Sequence, residues 1–216
     1  MKWSEKAWDS IEPIYRKTLE LPFIRELITG TLDKEKFVFY IQQDSLYLSD
    51  YGKTLTAIAT RLTKPEHIEA FIGFAGESIQ VENELHKMLF TELQADRKQT
   101  ASPSCLLYTS FLLSQLNAPV EVMAAAVLPC FRIYKEVGDY ILAHQVKGDN
   151  PYQAWIDAYG GDDFTESVRN ATAICDELAE NCTEEQRDLM TEAFITCSKM
   201  EWMFWDSAYN LEQWKI

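Results

Sequence analysis

The residues of this chain best equipped for chemistry are a thiol and two acids placed where helices should bury their apolar sides. Cys130 follows Pro129 in the stretch Val127-Leu128-Pro129-Cys130-Phe131-Arg132-Ile133-Tyr134. Met123, Ala126, Val127, Cys130, Ile133, Tyr134, Val137 and Ile141 recur around it at spacings of three and four, which predicts one helix with a buried stripe. A proline inside that helix lacks the N–H that the Ala125 carbonyl would accept and crowds the same carbonyl, at roughly 3 kcal/mol. Such a kink would either displace Cys130 toward a pocket and free the Ala125 carbonyl for another donor, or only let the helix curve around the bundle. The ordinary account of a cysteine there is a small buried hydrophobe, against which its place beside the proline has to be weighed.

Asp44 lies on the stripe Phe37, Tyr40, Ile41, Tyr47, Leu48, Tyr51, and Glu201 lies with Phe194, Cys197, Phe204, Trp205 and Ala208. A carboxyl group removed from water must be paired, hydrogen-bonded or protonated. For either acid alone, an internal salt bridge or a cap on a neighbouring helix is as good an account as catalysis. Two such acids, a cysteine at a kinked helix and several tyrosines together point to a polar pocket inside a bundle. Tyr108, on a stripe with Cys105, Phe111 and Leu112, also fits a core tyrosine whose hydroxyl meets a carbonyl. Tyr159 precedes two glycines and fits a packing role at a helix end equally well.

A metal is the competing use of such groups. Glu82 and His86 stand four apart on one helix, but a di-iron bundle wants two Glu-x-x-His pairs with further carboxylates. Only His67, His86 and His144 exist in the chain, so no metal site is expected.

The elements that must hold these residues read as helices throughout, in an all-α chain. Asp33 caps a helix from about Lys34 to Arg61, and Thr63-Lys64-Pro65-Glu66 has the capping-box pattern for another running to about Gln94. A shorter helix spans Ser104 to Gln115, and Asn117-Ala118-Pro119 opens the helix of Cys130. Asn150-Pro151 begins a short one, and Tyr159-Gly160-Gly161-Asp162 reads as a stop, a turn and a new cap. Thr183-Glu184-Glu185-Gln186 is a second capping box, opening the last helix to about Leu211. With 216 residues and no repeat, low-complexity segment or long linker, one domain over residues 1–216 is expected.

A net charge of −14 and a pI near 4.6, with no clustered Lys or Arg, exclude nucleic acid and anionic membranes as expected partners. The uncharged stretch around the proline, Val122 to Phe131, is far below the roughly 20 apolar residues a bilayer span needs. The first residues lack the apolar core of a signal peptide, and a soluble, cytoplasmic protein is expected. Five cysteines without a CxxC pair suggest free thiols rather than a disulfide framework or zinc cage.

Gln43-Asp44-Ser45-Leu46-Tyr47-Leu48, Tyr108-Thr109-Ser110, Leu128-Pro129-Cys130, Tyr159-Gly160-Gly161-Asp162 and Glu201-Trp202-Met203-Phe204-Trp205 together resemble the TenA family, thiaminase II or aminopyrimidine aminohydrolase. The likeness covers nearly the whole chain, in the right order. It implies a heme-oxygenase-like helical bundle, a homotetramer, no cofactor, and a small-molecule substrate. That substrate is 4-amino-5-aminomethyl-2-methylpyrimidine, or thiamin itself. Cys130 places the chain in the cysteine-containing class of the family.

The resemblance also implies roles. Cys130 resembles the nucleophile that adds to pyrimidine C6, and Glu201 the carboxyl group that serves N1. Asp44 matches the acid holding the exocyclic amine and ring nitrogen. Tyr47 and Tyr108 would hydrogen-bond around the thiol and leaving group, Tyr159 would help hold substrate or water, and Phe204 would pack on the ring. Leu46 and Phe111 depart from the commoner aromatic and histidine, which bears on substrate preference. A non-catalytic aminopyrimidine-binding or regulatory module is the alternative, since a binder needs Asp44 and the slot but not Cys130.

Overall fold

The computed structural model describes residues 1–96, 100–146 and 148–216, apart from the side chains of Glu82, Asn83 and Asp163. Ten α-helices carry these residues, and no strand occurs among them. The expected caps form where their chemistry allows. Asp33 Oδ1 accepts the Glu35 N–H at 2.7 Å and opens α3, Lys34–Ala59. Thr183 and Gln186 exchange both capping-box bonds ahead of α10, Glu184–Tyr209. Ser102 caps α6, Pro103–Ser114, through the Cys105 N–H. After Pro119, α7 runs unbroken from Val120–His144 with Pro129 inside it.

Three features differ from expectation. Two helices precede Lys34, α1 (Trp3–Leu19) and α2 (Pro22–Thr29), where the sequence reading places none. The Lys64 carbonyl, rather than the Thr63 capping box, starts the ladder of α4, Pro65–Val81, accepting from His67 and Ile68. The long helix expected to reach Gln94 is interrupted by a π turn at Glu82–His86 before α5, Lys87–Glu92.

The helix carrying Cys130 is the axis of the bundle. Every residue from Val122 to Pro129 is buried, so this part of α7 is covered on all sides rather than along one stripe. It packs on α10 along one side and on α3, α2, α8 (Gln153–Gly160) and α9 (Asp162–Glu180) around the rest. Burying a Val, Leu, Ile or Phe side chain is worth roughly 1.5–3 kcal/mol. Val127, Leu128, Phe131 and Ile133 are all buried beside the proline, and together outweigh its cost of roughly 3 kcal/mol. The Ser4 N–H and hydroxyl both reach the buried Asp176 carboxylate, at 2.8 and 2.9 Å, and fasten α1 to α9.

One close approach places a site residue. A Cβ on Gly138 of α7 would lie 2.9 Å from both the carbonyl carbon and the oxygen of Tyr159, so α8 sits against α7 only because that position has no side chain. Gly138→Ala should push the end of α8 and Tyr159 outward and cost about 1–3 kcal/mol of stability. Urea denaturation reads this directly, and an unchanged midpoint would show that the contact gives way freely.

Candidate active site

Cys130 stands on the wall of a cavity of about 730 Å³ between α3, α4, α7, α8 and α9. Leu48, Phe74, Phe131 and Phe164 give that cavity apolar walls, Tyr51 and Tyr159 bring hydroxyls, and Glu77, Glu84 and Glu166 supply carboxylates. Cys130 is half-buried, while Cys105, Cys175 and Cys197 are buried outright. Close to the proline, the Tyr51 hydroxyl donates to the Val127 carbonyl at 3.0 Å.

Close to the sulfur lies a cluster of buried groups outside the lining of that cavity. Glu201 is 1% exposed and Asp44 2%. Tyr47, Tyr108 and Phe204 are buried with them. Tyr47 is the hub of the rings, with centroids 4.8 Å from Tyr108, 5.3 Å from Tyr51 and 5.8 Å from Phe204. The Tyr108 hydroxyl donates to Glu201 Oε1 at 2.7 Å. Of the seven residues named from the sequence, Cys130 and Tyr159 face the cavity and the other five form this inner cluster. Tyr159 is held by rings of Trp155, Tyr134 and Phe164.

Burial dominates the electrostatics. It pushes the Glu201 carboxyl up to about 8, helped by the charge of Asp44 and opposed by the hydrogen bond from Tyr108. Burial also pushes the Cys130 thiol well above its ordinary range, as do the charges of Glu201 and Asp44. The hydroxyls of Tyr47 and Tyr51 act the other way on the sulfur, because a donor favours the thiolate. At rest near neutral pH the pair is therefore a thiol beside a carboxylic acid. The buried Tyr47 hydroxyl has no well-formed hydrogen bond of its own.

Asp44 is not left unpaired. His86 Nε2 lies 3.0 Å from Asp44 Oδ2, and His86 Nδ1 lies 2.9 Å from Ser45 Oγ. The sequence reading names His86 only as a possible metal ligand with Glu82, whose side chain lies outside the described residues. No group of three or more His, Cys, Asp or Glu is arranged to hold a metal among the described residues. Tyr51 was the other residue missed; its signal is its place four after Tyr47 on the stripe that carries Asp44.

Residues 8–211 match the model of the TENA/THI-4/PQQC family. The chain belongs to that family. It is 35% identical to the aminopyrimidine aminohydrolase of Bacillus subtilis (strain 168) over 99% of this chain and 92% of that protein. A TenA homologue protein from P. horikoshii OT3 superposes with a TM-score of 0.86 at 28% identity, covering 97% of this chain and 99% of that one. A domain of unknown function with a heme oxygenase-like fold from Shewanella denitrificans OS217 superposes with a TM-score of 0.70 at 13% identity, over 96% of this chain and 92% of that one. The TenA-type bundle seen here is therefore heme-oxygenase-like, as the motifs imply.

In this family member, the hydrogen bond from Tyr108 favours the ionised form of Glu201. Tyr108→Phe should consequently raise the Glu201 pKa above about 8. Infrared titration of the protonated carboxyl band checks this, and a midpoint that stays or falls would mean that Tyr108 does not hold the carboxylate.

Proposed function

We propose that the chain hydrolyses 4-amino-5-aminomethyl-2-methylpyrimidine to the 5-hydroxymethyl pyrimidine and ammonia, and thiamin to the same pyrimidine and its thiazole alcohol, through covalent attachment to Cys130. One observation carries the reading: among the described residues, Cys130 is the one cysteine lining the cavity, with the buried Glu201, Tyr47 and Tyr51 all acting on its thiol. The name of the Bacillus subtilis relative supports the same reaction class. The proposal extends to one domain over residues 1–216, a homotetramer and a cytoplasmic setting, with no cofactor.

An amine on a carbon attached to an aromatic ring is a poor leaving group for direct displacement by water. In the proposed route the Cys130 sulfur bonds to C6, N1 takes a proton from Glu201, and the thiol proton restores Glu201. The ring is then no longer aromatic. As N1 gives its proton back to Glu201 and the departing amine takes one up, electron density from N1 expels the C5 substituent as ammonia, leaving an exocyclic methylene. Water adds to that carbon, the C6–sulfur bond breaks, aromaticity returns, and the thiol is regenerated. Asp44 accepts hydrogen bonds from the aminopyrimidine edge and fixes which ring face meets the sulfur. Phe204 and Tyr47 supply the flat wall, while Tyr108 and Tyr159 hold the groups that leave and enter.

A carboxyl group with a raised pKa is a competent acid at neutral pH. Since Glu201 must be protonated to act on N1, kcat/KM should fall as pH rises through about 8. The stability sign runs the same way: the folded chain holds this proton where the unfolded chain releases it, so its contribution is complete below the ordinary Glu pKa and declines as pH rises to about 8. Ammonia release by the wild type should be lost in Cys130→Ser and reduced about 10²–10⁴-fold in Glu201→Gln. Tight pyrimidine binding with no product from the wild type would favour the binding module over the enzyme.

A further inference from the structure

We infer that His86 is the positioning residue of Asp44, aligned in turn by Ser45 and brought inward by the π turn at Glu82–His86. The identity of the ligand rests on the proposed aminopyrimidine reaction, whereas the contact itself rests on geometry. His86 is fully buried, and both its ring nitrogens are engaged: Nε2 with Asp44 Oδ2 at 3.0 Å and Nδ1 with Ser45 Oγ at 2.9 Å. In the proposed clamp Nε2 is the ring nitrogen that donates to Asp44, and Nδ1 accepts from the Ser45 hydroxyl. Ser45 sits next to Asp44 on α3, so one helix presents the carboxylate and also orients the ring that clamps it.

The backbone shows how a buried histidine comes to stand there. Phe71, Phe74 and Ser78 are the inward positions of α4, and helical spacing carried forward from Ser78 would turn Leu85 inward. A π turn winds one extra residue into the helix. Leu85 consequently lines the cavity, and the fully buried position passes to His86. No cation or metal is needed to explain the pair, and no other hydrogen bond to Asp44 is made among the described residues. Oδ2 is occupied and oriented by His86, which leaves Oδ1 for the amino group of a pyrimidine. Without the clamp the carboxylate could rotate, and the ligand would lose the edge contact that sets its orientation.

The test compares His86→Leu, His86→Gln and Ser45→Ala with the wild type. Thermal unfolding monitors folding, calorimetry measures binding of the hydroxymethyl pyrimidine, and ammonia release gives KM and kcat. His86→Leu should weaken pyrimidine binding about tenfold or more and raise KM similarly, with a smaller change in kcat. His86→Gln should recover most of the affinity, because its side-chain amide N–H reaches the carboxylate, and Ser45→Ala should fall between. A folded His86→Leu with wild-type affinity, or a folded His86→Gln as weak as His86→Leu, overturns the assignment. If His86→Leu does not fold, Ser45→Ala decides, and wild-type affinity there overturns it. A wild type that binds no aminopyrimidine overturns the proposed reaction and this inference with it; wild-type binding matched by His86→Leu overturns the inference alone.

Discussion

Two carboxyl groups enclosed among the same aromatic rings cannot both be ionised without compensation, and the centre of this bundle is arranged around that restriction. Asp44 and Glu201 lie on α3 and α10, and the charge of the first raises the pKa of the second. The two have different partners. Asp44 is paired with a histidine ring, while Glu201 meets a phenol that is worth less than the loss of water. Glu201 is the acid that burial and the charge of Asp44 keep protonated. Paired titratable groups whose surroundings push them apart in this way are suited to dividing binding from acid catalysis.

That division needs three helices to meet at fixed spacing, which falls to α7. Ala124, Ala125 and Ala126 are fully buried, and small side chains there let neighbouring helices come close without a void. A helix covered on every side also tolerates a proline better than an exposed one, because its flanking apolar residues bury enough surface to offset the missing bond. Gly138 does the same work about three turns later, where the backbone of Tyr159 takes the place of a side chain. Tyr159 is thus set by a close approach between two backbones.

The parts of this arrangement that depend on local chemistry were legible in the sequence. Asp33 and the Thr183–Gln186 box act through bonds to residues two or three positions away, and their helices begin where those residues stand. The burial of Asp44 and Glu201 followed from helical period alone, since each sits on a stripe of rings. His86 was not legible as a partner of Asp44. The period that locates inward residues on α4 assumes an unbroken helix, and the π turn shifts the phase by one residue. The depth of the cluster was hidden as well: a stripe says that a residue turns inward, but not whether it stops at a cavity wall, as Tyr159 does, or lies behind it, as Tyr108 does. The first two helices were missed for another reason. Trp3, Ala7, Ile11 and Thr18 form a buried stripe, but Pro13 within it and the weak cap at Lys2 disguise the element.

The resting state of Cys130 follows from the same restriction on charge. A thiolate there would add an anion beside Asp44 in an enclosure where burial already disfavours any charge, so the sulfur keeps its proton until a ligand changes the balance. A pyrimidine whose N1 accepts a proton supplies that change in the proposed reaction, because bond formation at C6 removes charge from sulfur as it develops. Two hydroxyls are already positioned for the interval between. Tyr51 donates to the Val127 carbonyl, and the Tyr47 hydroxyl is buried beside the sulfur, whose thiol pKa it lowers. In the proposed reaction that hydroxyl would donate to the thiolate as it forms.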